Sequence, residues 1–485
     1  MALGVYISVP FCRTKCSYCN FASDVFSKSA YENYVARVVE DIGKLGKQAA
    51  ELECELDENV DSIYLGGGTP SILDNAQLVR IFEAVRDRFT VAREAEITVE
   101  CAPGTLSAAF IETLLRCGVN RVSLGVQSFV DQEAQAVGRL HKRAIVLEEV
   151  SRLRGFGLEN INIDLIAGLP HQTAESWTFS LAETIALGAP HVSVYMLEVD
   201  EDSRLGRELI AGGTRYHAHF VPDEDATADF YQQACETLNA AGIDQYEISN
   251  FARAGKESRH NLKYWTRQPY MGFGVDAHSM LRGHGRLTSA AKAADQCFGA
   301  TAAVKGLCEN PVVPPGLDSL VPLDPALKRG AKLARPAGTR VLPDLSHADA
   351  QNRVHTRSLK CCATENQEAV RFSTADSLDA YMNRVPNTVT VVSQQAAIEE
   401  NFFLGLRLNR GVDLAALSAE FTPDAITTYQ SAIDECVGEG LIEKQGTSVR
   451  LTSRGRLLSN EVFARFLTDN AKEELKVGTG HVNPR

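Results

Sequence analysis

Three cysteines near the start of the chain have a spacing that suits a metal cluster. Cys12, Cys16 and Cys19 stand in "CRTKCSYCNF", residues 12–21. Three thiolates can bind three of the four irons of a [4Fe–4S] cluster and leave the fourth iron open, whereas four thiolates would saturate it. Three incidental thiols, or a zinc site that lacks its fourth ligand, are the alternatives.

Other polar residues stand where predicted strands end. "GGGTP" (66–70) follows the second strand, Glu100 ends the third, Gln127 ends the fourth and Asp164 ends the fifth. Six strand-like runs alternate with helical patterns up to about residue 200, and this alternation predicts a parallel sheet with right-handed crossovers. Barrels of this kind gather their sites at the carboxyl ends of the strands. The sequence therefore predicts an α/β protein with an incomplete (β/α)6 barrel.

Four parts are expected along the chain. Residues 1–220 form the barrel, and 221–285 extend it with a strand at "QYEISNF" and the motif "HNLKYW" (260–265). Residues 286–368 are expected to be an irregular insertion, because seven of the 17 prolines fall between positions 311 and 343. Residues 369–485 are expected to form a C-terminal α+β module of winged-helix-like type, with single helices at 424–438 and 453–468 and a β-hairpin between them.

Composition excludes several classes of protein. A net charge of −13 argues against non-specific nucleic-acid binding, and 12 cysteines are too few for a disulfide scaffold. The sequence contains no run of about 18 apolar residues, so no membrane span is predicted. The first residues, which enter a strand directly, do not resemble a signal peptide, so a cytoplasmic location is expected. Cysteines outside the first motif are expected to be small buried residues, and no role is assigned to Cys361 and Cys362.

Six motifs in order carry a family resemblance. They are "YISVPFCRTKCSYCNF", "LGGGTPS", "ECAPGT", "RVSLGVQSF", "INIDLIAGLP" and "HNLKYW". Together they resemble the radical S-adenosylmethionine (SAM) superfamily, and within it the HemW branch of the oxygen-independent coproporphyrinogen oxidase group. The resemblance covers residues 4–285 and 369–468. In the oxidase branch a further cysteine follows the third after one residue; here that position is Phe21, an aromatic residue as in the HemW branch.

The resemblance implies a [4Fe–4S] cluster, SAM and an electron donor. Cys12, Cys16 and Cys19 would bind the cluster, and SAM would chelate the open iron. Glu100 and Asp164 could instead cap helices or pair with Arg139, and the glycines could merely turn the chain. The positions that match family residues around SAM are Tyr6, Tyr18, Phe21, Gly67, Gly68, Thr69, Glu100, Gln127, Arg139 and Asp164.

A haem site is expected at "HNLKYW". His260 can ligate haem iron or shape the pocket, while Tyr264 and Trp265 can supply a flat apolar face. We expect the motif to lie near the open end of the barrel, within reach of the cluster. His278 and His141 are weaker candidates for the axial ligand.

The resemblance favours a haem chaperone. Such a protein would bind haem or a porphyrin and pass haem to an acceptor protein, for which a membrane-associated respiratory protein is one candidate. The alternative is a coproporphyrinogen III oxidase, which decarboxylates propionate groups to vinyl groups and yields protoporphyrinogen IX. The sequence does not decide between these two functions, so it leaves open whether the chain is an enzyme. An unrelated radical SAM enzyme is a third class of function.

Overall fold

The computed structural model describes residues 1–52, 54–201, 203–283 and 368–467. The predicted insertion at 286–368, apart from its last residue, and the cysteine pair at 361–362 lie outside the described residues. Within the described ranges, no helix combines the length and the apolar character needed to cross a bilayer.

The first half of the chain alternates strands and helices as expected. Its elements are β1 (Leu3–Val9), α1 (Lys28–Glu51), β2 (Cys54–Glu55), β3 (Asn59–Gly67), α2 (Asn75–Arg88), β4 (Thr90–Cys101), α3 (Ala108–Arg116), β5 (Arg121–Gln127), α4 (Asp131–Ala136), α5 (Arg143–Gly155), β6 (Ile161–Ala167), α6 (Ala174–Ala186), β7 (His191–Met196), α7 (Arg204–Ala211) and α8 (Glu224–Ala240). Helix α2 begins at a capping box, in which Asp74 accepts from the backbone of Gln77 and the side chain of Gln77 bonds back.

The second half extends the sheet and adds a small module. Its elements are β8 (Asp244–Gln245), β9 (Asn250–Ala252), α9 (Arg259–Trp265), β10 (Tyr270–Phe273), β11 (His278–Gly283), β12 (Ala369–Ser373), α10 (Leu378–Met382), β13 (Thr388–Val392), α11 (Gln394–Gly405), β14 (Val412–Asp413), α12 (Leu414–Glu420), α13 (Pro423–Thr427), α14 (Gln430–Gly438), β15 (Ile442–Gln445), β16 (Ser448–Leu451), α15 (Ser453–Leu457) and α16 (Ser459–Ala464).

The main sheet is an open barrel wall. Strands β1, β3, β4, β5, β6 and β7 are parallel neighbours in that order. Beyond β7 the sheet continues with the antiparallel strand β9, and beyond β1 it continues with β10 to β13, so its two edges do not pair among the described residues. The incomplete (β/α)6 barrel is confirmed. The three-stranded sheet β14–β16–β15, with its helices, is the expected C-terminal α+β module.

Three predicted elements are interrupted. The strand predicted at 245–251 is two short strands, because the backbone N–H of Tyr246 bonds to Asn250 and closes a turn. The helix predicted at 424–438 breaks near Tyr429, whose N–H bonds three residues back to Ile426. The final helix breaks at Leu458, which has φ −108° and ψ 29°.

Alternation along the strands leaves the barrel interior polar. In β1, Val5 and Ile7 belong to the apolar core against the outer helices, so Tyr6 between them points inward. Strand register places Tyr6 beside Tyr64, and in the same way Thr98 lies beside Arg121. A closed (β/α)8 barrel fills this space with branched apolar side chains. Here the aromatic and polar side chains leave a cavity.

Helix α9, which carries "HNLKYW", closes the floor of the barrel. Lys263 Nζ donates to the carbonyl of Ala2 at 2.8 Å and lies 2.7 Å from Asp61 Oδ1. The carboxylate of Glu96 accepts from the backbone N–H groups of Arg259 and His260, both at 3.1 Å. Ala2 precedes β1, Asp61 is near the start of β3, and Glu96 pairs with Ser62 at that same end of the sheet. The expected position near the open end of the barrel is therefore wrong: the motif enters from the end opposite the cysteines.

Residues 284–367 can be replaced by a two-residue Asn-Gly turn, and we expect little loss of stability. Strands β11 and β12 are antiparallel with Arg282 opposite Ala369, and Gly283 N–H bonds to Glu368 O at 3.3 Å. This geometry suits a two-residue hairpin, and loop length changes closure entropy only slowly. Thermal unfolding should show a melting temperature within about 5 °C of the full chain. A variant that fails to fold would show that the segment packs against the rest.

Candidate functional site

The three cysteines lie in the loop that leaves β1. The N–H of Cys12 bonds to Asp24 O at 3.0 Å, and that of Cys19 bonds to Cys16 O at 3.3 Å, which folds the loop back on itself. All three are free thiols that line one cavity. Burial raises the pKa of Cys12 and, with the other thiols, that of Cys19 to about 12. Thiolates here need a compensating positive charge.

Arg139 supplies that charge. Burial alone would lower its pKa, but Cys16 and Tyr18 raise it above its usual value. A Cβ atom on Gly125 would stand 2.9 Å from Arg139 Nη2, so the glycine makes room for the guanidinium group. Its buried Nε has no hydrogen-bond partner in the described structure. A buried guanidinium with an unused donor suits an anionic ligand beside the thiols.

The "GGGTP" turn packs against the cysteine loop. The N–H of Gly68 bonds to Val9 O and that of Thr69 to Phe11 O, both at 2.8 Å. A Cβ on Gly68 would stand 2.8 Å from both of these carbonyl oxygens, and Gly67 has φ 99°. The turn therefore requires glycine at both positions. Thr69 Oγ1 also reaches Cys12 Sγ at 3.7 Å.

Two carboxylates face the cavity below this turn. Tyr64 donates to Glu100 Oε1 at 2.8 Å, and Asp164 accepts from Ser123 at 3.0 Å and from Asn162 at 2.6 Å. Burial raises the pKa of Glu100 to about 7 and raises that of Asp164. Neither carboxylate caps a helix or lies within ion-pair distance of Arg139 in the described structure. The alternative roles considered for them are not supported.

Gln127 is held in a strained conformation. Its φ is 68°, a left-handed value that is uncommon for a non-glycine residue, and its buried Oε1 has no partner among the described residues. Such strain persists where the surrounding structure enforces it, often at ligand sites. A polar ligand in the cavity would satisfy Oε1.

One cavity brings together nearly all of the residues expected around the cofactors and haem. Its wall includes Tyr6, Cys12, Cys16, Tyr18, Cys19, Phe21, Gly67, Gly68, Thr69, Glu100, Gln127, Arg139, Asp164, His260 and Tyr264. Trp265 is the exception. It lies in the neighbouring core, where the Arg407 guanidinium stands 4.4 Å from its ring centroid.

Arg121 is a cavity residue that sequence reasoning missed. It is 1% exposed, and its Nε has no partner in the described part of the chain. The signal available was an arginine at the head of the buried strand "RVSLGVQ", whose other residues are uncharged. Other polar wall residues that were not singled out are Tyr64, Ser123, Asn162, Ser193 and Asn261.

Both ring nitrogens of His260 are hydrogen bonded within the protein. Its Nδ1 bonds with Ser62 Oγ at 2.9 Å and its Nε2 with Tyr264 Oη at 2.8 Å. The ring is 1% exposed, and burial lowers its pKa to about 3, so it is neutral. An iron ligand would have to break one of these bonds. The geometry supports the pocket-shaping role and does not support axial ligation.

The weaker histidine candidates are also engaged. His278 Nε2 lies 3.6 Å from Asp276, and His141 Nε2 bonds with Val126 O at 3.1 Å.

The residues present fit a cubane cluster and SAM. No three His, Cys, Asp or Glu side chains converge on one point in the described ranges. A cubane does not require such convergence, because each thiolate binds a different iron. The unpartnered atoms of Gln127 and Arg139 and the glycine cradle are the features that a polar ligand would occupy.

The open barrel, the three cysteines and the cavity define a radical SAM protein. Residues 6–181 match the model of the Radical SAM superfamily, and residues 392–458 match the HemN C-terminal domain. The fold is that of coproporphyrinogen III oxidase (HemN) from Escherichia coli, with a TM-score of 0.68 and 18% identity over 96% of this chain and 90% of that chain.

Curated relatives define the family. Heme chaperone HemW of Bacillus subtilis (strain 168) is 30% identical over 470 residues, which are 96% of this chain and 99% of the relative. Heme chaperone HemW of Escherichia coli (strain K12) is 35% identical over 280 residues, which are 58% of this chain and 70% of the relative. The chain belongs to the HemW family of radical SAM proteins.

Proposed function

We propose that this chain binds haem and delivers it to an acceptor protein, with a [4Fe–4S] cluster and SAM held in the barrel cavity. The similarity to HemW relatives along 96% of the chain carries this proposal. Phe21 supports it, since the position lines the cavity and holds no fourth thiol. A cytoplasmic location is part of the proposal.

Residues at the mouth of the cavity would hold the cluster. Cys12, Cys16 and Cys19 would each bind one iron, and Arg139 would stabilise their thiolates and the carboxylate of SAM. Gly67, Gly68 and Thr69 let the backbone approach the amino-acid end of SAM. When both groups are bound, they supply one-electron chemistry, and the protein orients them.

Residues deeper in the cavity would bind the rest of SAM. Glu100 and Asp164 suit its ribose hydroxyls or its amino group, since a carboxylate accepts from both. Gln127 Oε1 offers a further acceptor. Tyr6, Tyr18 and Phe21 line the same wall and would keep water from the bound groups.

SAM affinity is expected to rise as the pH increases through about 7, where Glu100 ionises. SAM carries a net positive charge and prefers the ionised carboxylate. The ligand-free protein should lose stability as the pH rises from about 4.5 to about 7. In this range the raised pKa of Glu100 lets the native state keep a proton that the unfolded chain has released.

Calorimetric titration of the reconstituted protein with SAM at about pH 6 and about pH 8 measures this dependence. The matched variant Glu100→Gln keeps the size and the acceptor for Tyr64 but cannot ionise, so its affinity should be flat over this range. An equal slope in both proteins would place the titrating group elsewhere.

Two assays on the reconstituted protein separate chaperone from oxidase. Titration with ferric haem should give a Soret band that saturates at about one haem per chain. Anaerobic incubation with coproporphyrinogen III, SAM and dithionite should give no vinyl product. Failure to take up haem together with conversion of coproporphyrinogen would replace the chaperone proposal with the oxidase function.

A further inference from the structure

We propose that haem binds on the surface of this protein, at a patch formed by His171, His217, His219 and Phe220, with His219 as axial ligand. This histidine patch lies outside the barrel cavity. The inference rests on the proposed haem-binding function and names a site for it.

Haem ligation by a histidine requires an accessible imidazole nitrogen, and the porphyrin needs a flat apolar surface. His260 offers no accessible nitrogen, because both of its ring nitrogens are hydrogen bonded and it is 1% exposed at the cavity floor. A porphyrin plate cannot reach that ring without opening the barrel. A site at the surface removes this obstacle.

The histidine patch is formed by two loops that contact each other. His171 follows β6, and the other three residues follow α7. His171 Nε2 and His217 Nδ1 are 3.2 Å apart, and the N–H of His171 bonds to Phe220 O at 3.0 Å. The Phe220 ring centroid stands 4.1 Å from that of His171 and 4.1 Å from that of His219. Phe220 is 47% exposed, so its ring is available to a flat ligand.

The imidazole of His219 is the ligand best placed for iron. The ring is exposed and makes no hydrogen bond or ion pair within the described residues; its ring contact is with Phe220. His171 and His217, in contrast, are bonded to each other. Both hold left-handed backbone conformations, with φ 69° and 60°, and strain of this kind clusters at ligand sites.

Helix α7 is fastened to the histidine segment and carries two exposed apolar side chains. Glu208 accepts from the N–H groups of Tyr216 at 2.8 Å and Ala218 at 3.1 Å, which fastens the histidine segment to the end of the helix. The next two residues, Leu209 and Ile210, are 54% and 66% exposed. Exposed apolar side chains on a short helix are typical of a binding surface.

Arg215, in the same segment, suits a haem propionate. It is exposed, and no carboxylate oxygen lies within ion-pair distance of it among the described residues. A guanidinium group binds carboxylates through paired donors. An exposed imidazole, an aromatic ring and a cation thus belong to one short segment, residues 215–220, and this combination suits haem better than a bare metal ion.

The histidine patch lies at the same end of the barrel as the cysteines. The N–H of Leu205, in the first turn of α7, bonds to Ser17 O at 2.8 Å, and the helix runs for about 12 Å from there toward the patch. Haem would therefore be held at the exposed rim, where an acceptor protein can reach it. Ligation is a simple exchange: the lone pair of the His219 nitrogen binds ferric iron and displaces a water, with no change in oxidation state.

The variant His219→Ala, titrated with ferric haem, tests this site. We expect at least a tenfold loss of affinity and a shifted Soret band, with the iron–sulphur absorbance unchanged. Free imidazole should restore the band of the native complex, since it can replace the missing ligand. His278→Asn is the matched control and should keep the native Soret position. His260→Asn, which alters the cavity wall, tests whether haem contacts the cavity instead.

Several results would overturn the assignment. A native band in His219→Ala, or a band that shifts in His260→Asn instead, would place the ligand elsewhere. If Zn²⁺ saturated the histidine patch without displacing haem, the patch would be a site for metal ions and haem would bind elsewhere. If the native protein takes up no haem at all, the proposed function itself fails, and the two failures are thus distinguished.

Discussion

Replacing any one of Cys12, Cys16 or Cys19 by alanine is expected to abolish the cluster of the anaerobically reconstituted protein. The native protein should hold about four irons per chain, one of them without a protein ligand. The three thiols line one cavity from a single loop, and no other cysteine belongs to that loop. Iron and sulphide analysis, with electron paramagnetic resonance of the reduced protein, measures the loss.

Cys101 provides the matched control. It lines the same cavity but stands at the end of β4, where burial and the neighbouring carboxylates of Glu149 and Glu100 raise the pKa of its thiol. Burial raises the pKa of Cys12 and Cys19 too, but a cationic side chain beside each of them favours the thiolate. Cys101→Ser should therefore keep the full iron content, as should replacement of Cys361 and Cys362. Equal iron loss in any of these variants would refute the ligand assignment.

The substitution Gly68→Ala should weaken SAM binding by at least tenfold and lower the free energy of unfolding by about 1–3 kcal/mol. The added Cβ would stand 2.8 Å from two backbone oxygens, those of Val9 and Phe11, and backbone cannot turn aside as a flexible side chain can. The turn would have to move away from the cysteine loop. Titration with SAM and denaturant unfolding measure the two effects.

Gly43→Ala is the control for this substitution. Gly43 lies within α1, and a Cβ there meets no atom within 4 Å. Alanine should stabilise that helix by about 0.5–1 kcal/mol and leave SAM affinity unchanged. If Gly68→Ala behaved in the same way, the close approach of the turn to β1 would have no role in ligand binding.

Local patterns were sufficient to predict the barrel. The strand "RVSLGVQ" was expected at the residues where β5 lies, Arg121–Gln127. Glu100, Gln127 and Asp164 could be placed at one site because the carboxyl ends of parallel strands meet at one end of a barrel. Hydrophobic periodicity locates the strands, and the common direction of parallel strands brings their carboxyl ends together. Both features could therefore be inferred from the sequence alone.

Contacts between distant segments could not be predicted in this way. His260 bonds to Ser62, 198 positions away, and no local pattern shows that the ring is thereby occupied. Trp265 stands five residues on in the same motif, yet it packs against Arg407 and not in the cavity. The break at Tyr429 likewise depends on a single backbone bond rather than on periodicity.

The floor of the barrel has a consequence for how the protein folds. Lys263 joins the carbonyl of Ala2 across 261 positions, and Arg267 lies 2.7 Å from Glu400 in the C-terminal half. During synthesis the strands of the wall therefore leave the ribosome well before the helix that closes their lower end. Contacts of such long sequence separation form slowly. The floor of the cavity is therefore a late product of folding, and a chain interrupted before α9 would leave the cavity open at its lower end as well as at the cysteine end.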